Sequence, residues 1–184
     1  YLVHIVDLFW LIPCDVPLVI TNIYTINTNM ETSKYNKTYK APYKGVYRPI
    51  NPKKYVGNPK RIIYRSMWEK KVMMKLDRNP DIIKWASEEL SIPYTNPIDR
   101  KRHRYYPDFV VENKRGQKMM IEVKPSRQMK KPVRKKRKTK RYIRESLTYI
   151  KNMSKWRAAK EYCDKNDMEF KFITEFDIPG LSSS

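Results

Sequence analysis

Cysteine, histidine and acidic residues are scarce in this chain, and each shortage excludes a class of protein. The 184 residues include only two cysteines, Cys14 and Cys163, and only two histidines. Two cysteines provide neither a disulfide framework nor a zinc-binding set, and two histidines do not make a metal site. The 19 acidic residues are outnumbered by 40 lysines and arginines, which gives a formal net charge of +21. A field this strong favours a polyanionic partner, and nucleic acid matches it best.

Long uninterrupted hydrophobic runs are also missing. The most apolar stretch, residues 1–20, is interrupted by Asp7, Pro13, Asp15 and Pro17, and no basic segment precedes it. It therefore matches neither a transmembrane helix nor a signal peptide. No basic amphipathic helix with a broad apolar face favours binding to a membrane surface either. We expect no membrane partner, and the cysteine usage fits a reducing compartment.

The length of the chain indicates one domain with some extension. Apolar residues make up 40% of the sequence and aromatic residues 12%, which is enough to build a core. A polar stretch begins at Met30, and we expect the native product to start there, with residues 1–29 dispensable for folding and activity. The alternative is that residues 1–29 form a genuine extra strand or helix. We predict an N-terminal extension over 1–43, a domain over 44–178 and a tail over 179–184.

The order of predicted elements is one helix, three strands, a second helix and a last strand. Residues 31–60 are rich in Tyr, Lys, Asn and Pro and are typical of an extended arm. Ser66 and Glu69 form a capping-box pattern at the start of the first helix, which should end at Asn79-Pro80. The later elements are a strand within Lys84 to Tyr94, a hairpin of Arg104 to Glu112 and Lys118 to Lys124, a helix over about 141–165, and a strand from Phe170 to Thr174. Because a strand–helix–strand connection implies a parallel pair, we expect an α/β (α+β) fold with a mixed sheet flanked by helices.

The predicted hairpin brings two acidic residues together. Residues 113–117 contain Asn and Gly, which favour a turn. With that loop, Asp108 lies opposite Glu122, and opposed residues in an antiparallel pair have Cβ atoms about 4.5–5.5 Å apart. Glu122 and Lys124 are two residues apart, so they share a face of the strand. The other face, formed by Met119, Ile121 and Val123, suits a core.

Two opposed carboxylates destabilise a hairpin unless a positive charge neutralises them. Mg²⁺ can do so, using one or two carboxylates together with water and substrate phosphate oxygens. A nearby lysine such as Lys124 can hold an attacking water or the charge that develops on a phosphorane. The alternative is an exposed hairpin that carries these charges on its solvated face.

The basic loop, residues 127–144, contains eleven lysines or arginines and no acidic residue. Tyr142 is the one aromatic residue in it, so the loop suits phosphate contacts better than base stacking. A solvated tail or a nuclear-type signal is the alternative. The position of the loop directly after Lys124 favours a clamp on a nucleic-acid backbone. The predicted nucleic-acid-binding residues are Arg127, Lys130, Lys131, Arg134, Lys135, Lys136, Arg137, Lys138, Lys140 and Arg141.

Other polar and aromatic residues allow a role at the site or a purely structural one. Glu88, placed on a strand by the pattern, either supports the site or belongs to a surface pair with Glu89. His103 could orient a phosphate or a water, but a solvent-facing strand position is favoured. The remaining candidates are expected to pack in the core: Trp68, Trp85, Trp156 and Cys163.

The element order, with Asp108 on the second strand and Glu122-x-Lys124 on the third, resembles the PD-(D/E)xK nuclease superfamily and its restriction-endonuclease-like core. Over about residues 44–176, the chain also resembles the head completion nucleases of T4-like tailed phages and the related transposon-end-cleaving endonuclease TnsA. The motifs that carry this resemblance are Tyr64-Arg65-Ser66-x-Trp68-Glu69, Lys84-Trp85-x-Ser87-Glu88-Glu89, Ile92-Pro93-Tyr94, His103-Arg104-Tyr105-x-Pro107-Asp108-Phe109 and Lys155-Trp156-x-Ala158-Ala159.

The resemblance implies a catalytic set of Glu69, Asp108, Glu122 and Lys124, in which the three carboxylates bind the metal. For Glu69, closing the capping box with Ser66 is the alternative role. The implied cofactor is Mg²⁺, with Mn²⁺ as a substitute, and the implied reaction is hydrolysis of phosphodiester bonds in double-stranded DNA. The resemblance further implies a role in phage head completion after DNA packaging, head or portal proteins as partners, and the host cytoplasm or virion as location.

Two other functions remain open. A transposon-end-cleaving subunit would need a partner transposase and a second, helix-turn-helix-like domain. Only about ten residues follow the predicted core, so we expect that domain to be absent. A basic virion protein that binds DNA through a decayed nuclease fold would have no enzymatic activity. The presence of all four expected site residues argues against such decay.

Overall fold

A four-stranded sheet lies at the centre of the computed structural model, which describes residues 43–133 and 139–178. The helices are α1 (Met67–Arg78), α2 (Ser126–Met129) and α3 (Lys140–Lys165), and a short 3-10 turn spans Pro52–Lys54. The strands are β1 (Gly45–Tyr47), β2 (Ile62–Tyr64), β3 (Ile82–Ser87), β4 (Ile92–Thr95), β5 (Arg102–Tyr105), β6 (Phe109–Asn113), β7 (Lys118–Val123) and β8 (Met168–Ile173).

The central sheet has the strand order β3-β6-β7-β8. The β3–β6 and β6–β7 pairs are antiparallel, whereas β7 and β8 are parallel and are connected through α3. Two small antiparallel pairs, β1–β2 and β4–β5, are added to this core. The core elements follow one another in the order α1, β3, β6, β7, α3 and β8. This order confirms the predicted α-β-β-β-α-β arrangement, the mixed sheet and the restriction-endonuclease-like fold class.

Helices cover both faces of the central sheet. On one face, α1 contributes Val72, Met73 and Leu76 to a core that includes Ile121 and Val123 of β7. On the other face, the buried residues Ala159 and Cys163 of α3 pack in a cluster with Met120. Successive strand residues point to opposite faces, so the face that carries Glu122 is covered by α3. The alternative of a solvated hairpin face is therefore wrong. The sequence pattern of the hairpin could not show that a helix packs on this face.

Helix boundaries follow the capping signals. The Ser66 side chain accepts a hydrogen bond from the backbone N–H of Glu69 at 3.1 Å, and α1 ends at Asn79 as expected. Thr139 caps α3 by accepting from the backbone N–H of Tyr142 at 3.2 Å. Both caps satisfy N–H groups that have no partner within the helix.

Two predicted strands are each divided in the structure. The predicted strand from Arg104 to Glu112 is interrupted between β5 and β6, where Pro107 has no N–H to donate to a ladder. Asp108 therefore lies just before β6 and not within a strand. The predicted strand within Lys84 to Tyr94 is interrupted after β3, because Glu88 takes a left-handed backbone conformation with φ of 55°. Glu88 and Glu89 consequently lie on no strand.

The predicted extended arm contributes to the core from residue 43 onward, whereas its earlier part lies outside the described residues. Tyr47 and Tyr55 are buried and pack edge-on against Trp85, with ring centroids 6.0 and 4.8 Å apart. The buried carboxylate of Asp77 at the end of α1 accepts hydrogen bonds from the Tyr47 hydroxyl and from two backbone N–H groups at residues 50 and 51. These contacts tie the arm to α1, and the pattern of polar residues gave no sign of them.

The basic loop is helical at both ends. Arg127 lies in α2, and Lys140 and Arg141 lie in the first turn of α3, while residues 134–138 fall outside the described part of the chain. Over the described ranges, no helix combines the length and apolar character needed to cross a membrane. The predicted extension over 1–43 and tail over 179–184 remain predictions.

Candidate active site

The β6–β7 hairpin has the predicted register. Phe109 pairs with Ile121 and Val110 with Met120. One residue further from the turn, the same register places Asp108 opposite Glu122. The Asp108 carboxylate also accepts a hydrogen bond from the backbone N–H of Val123 at 2.7 Å. This bond holds Asp108 against β7 although Asp108 itself precedes β6.

Glu122 is the buried centre of the site, with 4% of its surface exposed. The Nζ atom of Lys124 lies 3.0 Å from Glu122 Oε1, as expected for residues that share a face of the strand. The hydroxyl of Tyr105, which comes from β5, donates to Glu122 Oε2 at 2.6 Å. Both carboxylate oxygens of Glu122 are therefore oriented by named partners.

The electrostatics of the site reflect two carboxylates in a poorly solvated place. Burial and the charge of Glu122 raise the pKa of Asp108 to about 8, although the Val123 N–H and Lys124 act in the opposite direction. Burial acts to lower the pKa of Lys124, but the charges of Glu122 and Asp108 outweigh it and raise that pKa. One lysine thus neutralises the pair only in part, and a further cation at this place would be stabilised.

Glu69 occupies a different position from the other three predicted residues. Its carboxylate accepts hydrogen bonds from the Ser66 hydroxyl at 2.9 Å and from the backbone N–H of Arg65 at 2.6 Å. Glu69 therefore caps the start of α1 through the residue before Ser66, and not through the Ser66 N–H of a standard capping box. Although α1 packs on the other face of the sheet, the charge of Glu69 acts on both Asp108 and Lys124. After burial and Glu122, the charge of Glu69 also raises the pKa of Asp108. The hydrogen bonds show its role as a cap of α1, whereas its role as a metal ligand remains a prediction.

The carboxylate oxygens of Asp108 and Glu122 are ligands of the kind that a magnesium ion takes. In the part of the chain that the structure describes, no three His, Cys, Asp or Glu side chains lie close enough together to form a metal site by themselves. Mg²⁺ does not need three, because it commonly takes one or two carboxylates and completes its shell with waters and phosphate oxygens. The two hard oxygen donors at Asp108 and Glu122, with their incompletely balanced charge, fit this ion.

Two further residues near the site, Tyr105 and Lys155, have no role that the sequence predicts. Tyr105 holds Glu122, and Lys155 of α3 places its Nζ atom 5.6 Å from the centroid of the Tyr105 ring. Both belong to motifs that carry the resemblance to known nucleases, which was the only available signal. Their distance in sequence from the hairpin left no local pattern that could connect them to it.

The structure shows where the residues lie for which the sequence allowed either a role at the site or a structural role. Glu88 forms a two-point ion pair with the exposed Arg65, at 2.9 and 2.7 Å. His103 is exposed on β5 and lies 2.8 Å from Asp99, which confirms its predicted solvent-facing position. Core packing is confirmed for Trp68, Trp85, Trp156 and Cys163.

The predicted nucleic-acid-binding residues are only partly within the described chain. Five of them are exposed, and one of these, Arg141, pairs with Glu145 at 2.8 Å. The exposed five are Arg127, Lys130, Lys131, Lys140 and Arg141. The other five lie outside the described residues: Arg134, Lys135, Lys136, Arg137 and Lys138.

Comparison with known proteins relates this chain to endonucleases. The model of the family described as "TnsA-like endonuclease N terminal" matches residues 79–175, a span that contains Asp108, Glu122 and Lys124. The head completion nuclease of Enterobacteria phage T4 is 39% identical over 143 residues, which cover 76% of this chain and 95% of that protein. The span that the family model matches includes the whole hairpin, α3 and β8. The chain therefore belongs to the TnsA-like endonuclease family.

Proposed function

We propose that this endonuclease hydrolyses phosphodiester bonds in double-stranded DNA with Mg²⁺ held by Asp108 and Glu122, and that Mn²⁺ can substitute. The observation that carries the proposal is the hairpin register, which sets these two carboxylates opposite each other with Lys124 beside them. When bound, the ion would lower the pKa of a water and stabilise charge on a phosphoryl oxygen. Glu69 would be the third carboxylate of the set.

The protein groups around the pair have distinct tasks in this proposal. Lys124, whose ammonium lies beside Glu122, would hold the attacking water or the developing phosphorane charge. Tyr105 fixes the orientation of Glu122 by its buried hydrogen bond. The backbone N–H of Val123 fixes Asp108 in the same way. Such fixed groups need no reorganisation when the phosphate arrives, which favours catalysis.

DNA affinity would come from the positive charge of the chain. A net charge of +21 is far more than a domain of this size needs for solubility. Phosphate contacts from the basic loop, residues 127–144, would hold the DNA backbone next to Lys124. Such contacts position the duplex without reading its sequence.

We propose phage head completion after DNA packaging as the biological role, in the host cytoplasm or the virion, with head or portal proteins as partners. The match to a protein named head completion nuclease, which covers 95% of that protein, supports this role. A transposon-end-cleaving role is the second candidate, and the description of the matching family model favours it. Cleavage that requires a specific transposon end and a transposase would support the second role, whereas cleavage without either would support the first.

A plasmid assay tests the proposed activity. The purified full chain would be incubated with supercoiled plasmid and Mg²⁺, Mn²⁺ or EDTA, and the nicked and linear products would be separated on a gel. We expect both products with either metal and neither product in EDTA. As a control, Glu169→Gln changes an exposed acid of β8 that pairs with Lys171, and it should cut like the wild type. Plasmid that stays supercoiled in every metal, or cutting that EDTA does not affect, would contradict the proposal.

A further inference from the structure

Lys155 is a cation in an unusual place. It lies on α3, which covers the same face of the central sheet that carries Glu122. Its side chain is half-buried, and the ammonium stands 5.6 Å from the centroid of the buried Tyr105 ring. The hydroxyl of the same tyrosine donates to Glu122. One aromatic ring therefore connects Lys155 to the central carboxylate of the site.

No carboxylate in the described ranges lies within ion-pair distance of Lys155. Lys124 differs, because its ammonium lies 3.0 Å from Glu122. Burial lowers the pKa of Lys155, against the charge of Glu122, which acts to raise it. Taking an ammonium out of water is unfavourable unless an anion or an aromatic face compensates, and the Tyr105 ring compensates only in part. Among the residues that the structure describes, this second cation thus lacks a close anionic partner.

We infer that Lys155 binds a phosphate of the DNA strand in the active site, alongside Lys124. This inference rests on the proposed function, because DNA cleavage is what would deliver a phosphate to this face of the sheet. A lysine suits the task, since its ammonium is a compact charge with three donors that follow a phosphate oxygen as charge develops. The ammonium already lies over the Tyr105 ring before DNA arrives, and the hydroxyl of the same residue holds Glu122.

The test compares three variants with the wild type in Mg²⁺. Lys155→Gln removes the charge, Lys155→Arg keeps it, and Lys160→Gln is the matched control on the same helix. Lys160 is exposed and pairs with Asp164 at 3.5 Å, and among the described residues it forms no ion pair with Asp108 or Glu122. For each variant, kcat and KM for a linear duplex would be measured over a range of salt concentrations, and thermal unfolding would be followed by circular dichroism.

We expect Lys155→Gln to lower kcat/KM about 100-fold, in the range seen when one group that stabilises a charged transition state is lost. The slope of log kcat/KM against log salt should become shallower by about 0.9, since one phosphate contact on duplex DNA is lost. Lys155→Arg should recover most of the rate, and Lys160→Gln should change neither quantity.

Three outcomes would overturn the inference or separate it from the proposed function. If the wild type cuts and Lys155→Gln cuts equally well with the same salt slope, the inference is wrong while the proposed function stands. If Lys155→Gln and Lys155→Arg lose activity together with thermal stability, Lys155 only packs against Tyr105. If the wild type itself does not cut DNA, the proposed function fails and the phosphate role fails with it.

Discussion

Tyr105 and Glu122 belong to different sheets, yet the tyrosine hydroxyl donates a 2.6 Å hydrogen bond to the glutamate carboxylate. Both residues are almost completely buried. The bond therefore ties the small β4–β5 pair to the central carboxylate of the site, in a place where water cannot replace the donor. A buried hydrogen bond to a charged group is among the strong ones in proteins.

Tyr105→Phe should reduce cleavage and also stability, because it leaves one oxygen of the buried Glu122 without its donor. We expect a loss of about 1–3 kcal/mol in unfolding free energy, measured by urea denaturation. Tyr47→Phe is the matched control, since it removes a buried hydroxyl from Asp77 at the far end of α1. It should destabilise the protein without slowing cleavage of the folded protein. If the two variants affect cleavage equally, Tyr105 has no role in cleavage beyond its contribution to stability.

Asp108→Asn should abolish plasmid cleavage while leaving DNA binding nearly intact. The carboxylate is needed to hold the metal, whereas affinity comes mainly from cationic side chains elsewhere. Cleavage would be followed on gels and binding by fluorescence anisotropy with a labelled duplex. Asp81→Asn, at an exposed acid before β3, serves as the control and should cut normally. Cutting at the wild-type rate by Asp108→Asn would exclude Asp108 from the mechanism.

Without metal, the contribution of Asp108 to the stability of the wild type should fall as the pH rises from about 4 to about 8. Burial and Glu122 raise the pKa of Asp108 from its ordinary 3.8 to about 8. Between these values the folded state keeps a proton that the unfolded state has lost, so each rise in pH favours unfolding. The slope for one group is at most about 1.4 kcal/mol per pH unit.

The measurement is urea unfolding in EDTA at several pH values, and the quantity that matters is the difference between the wild type and Asp108→Asn. Because asparagine does not titrate, the variant should show a smaller fall over this pH range. Added Mg²⁺ should oppose the fall in the wild type, since it favours the ionised carboxylate. Parallel profiles for the two proteins would contradict the assigned cause.

Glu69→Gln separates the two roles of Glu69. Glutamine still fits a capping box, so the helix cap and the unfolding free energy should change little. The charge beside Asp108 and Lys124 is lost, so we expect cleavage to fall at least tenfold. Ser66→Ala is the converse variant: it removes the cap, should cost about 1 kcal/mol, and should leave the charge in place. If Glu69→Gln cuts like the wild type, Glu69 serves only to cap α1.

Replacing Arg134, Lys135, Lys136, Arg137 and Lys138 with neutral residues should weaken binding to all duplex sequences alike. Each phosphate contact on duplex DNA contributes about 0.9 to the slope of log K against log salt, so that slope should fall by several units. Cleavage at saturating DNA should survive, because Asp108, Glu122 and Lys124 are unchanged. An unchanged salt slope would indicate a solvated tail or a protein-docking segment.

The sequence by itself determined the features that depend on neighbours along the chain. A five-residue turn and an alternation of period two were enough to set the β6–β7 register and to place Asp108 opposite Glu122. The capping pattern at Ser66 and Glu69 was enough to locate the start of α1. Each of these signals acts over a few residues, where backbone geometry leaves few alternatives.

The tertiary structure alone decided what surrounds that pair. Lys155 lies 33 residues after Glu122 and comes near the site because α3 covers that face of the sheet. Tyr105 belongs to the separate β4–β5 pair, because the strand is interrupted between β5 and β6. Likewise, the buried hydroxyl of Tyr47 donates to Asp77, which lies 30 residues away. Such contacts depend on how separate elements pack against one another, and no periodicity within a single element records which partner will cover it.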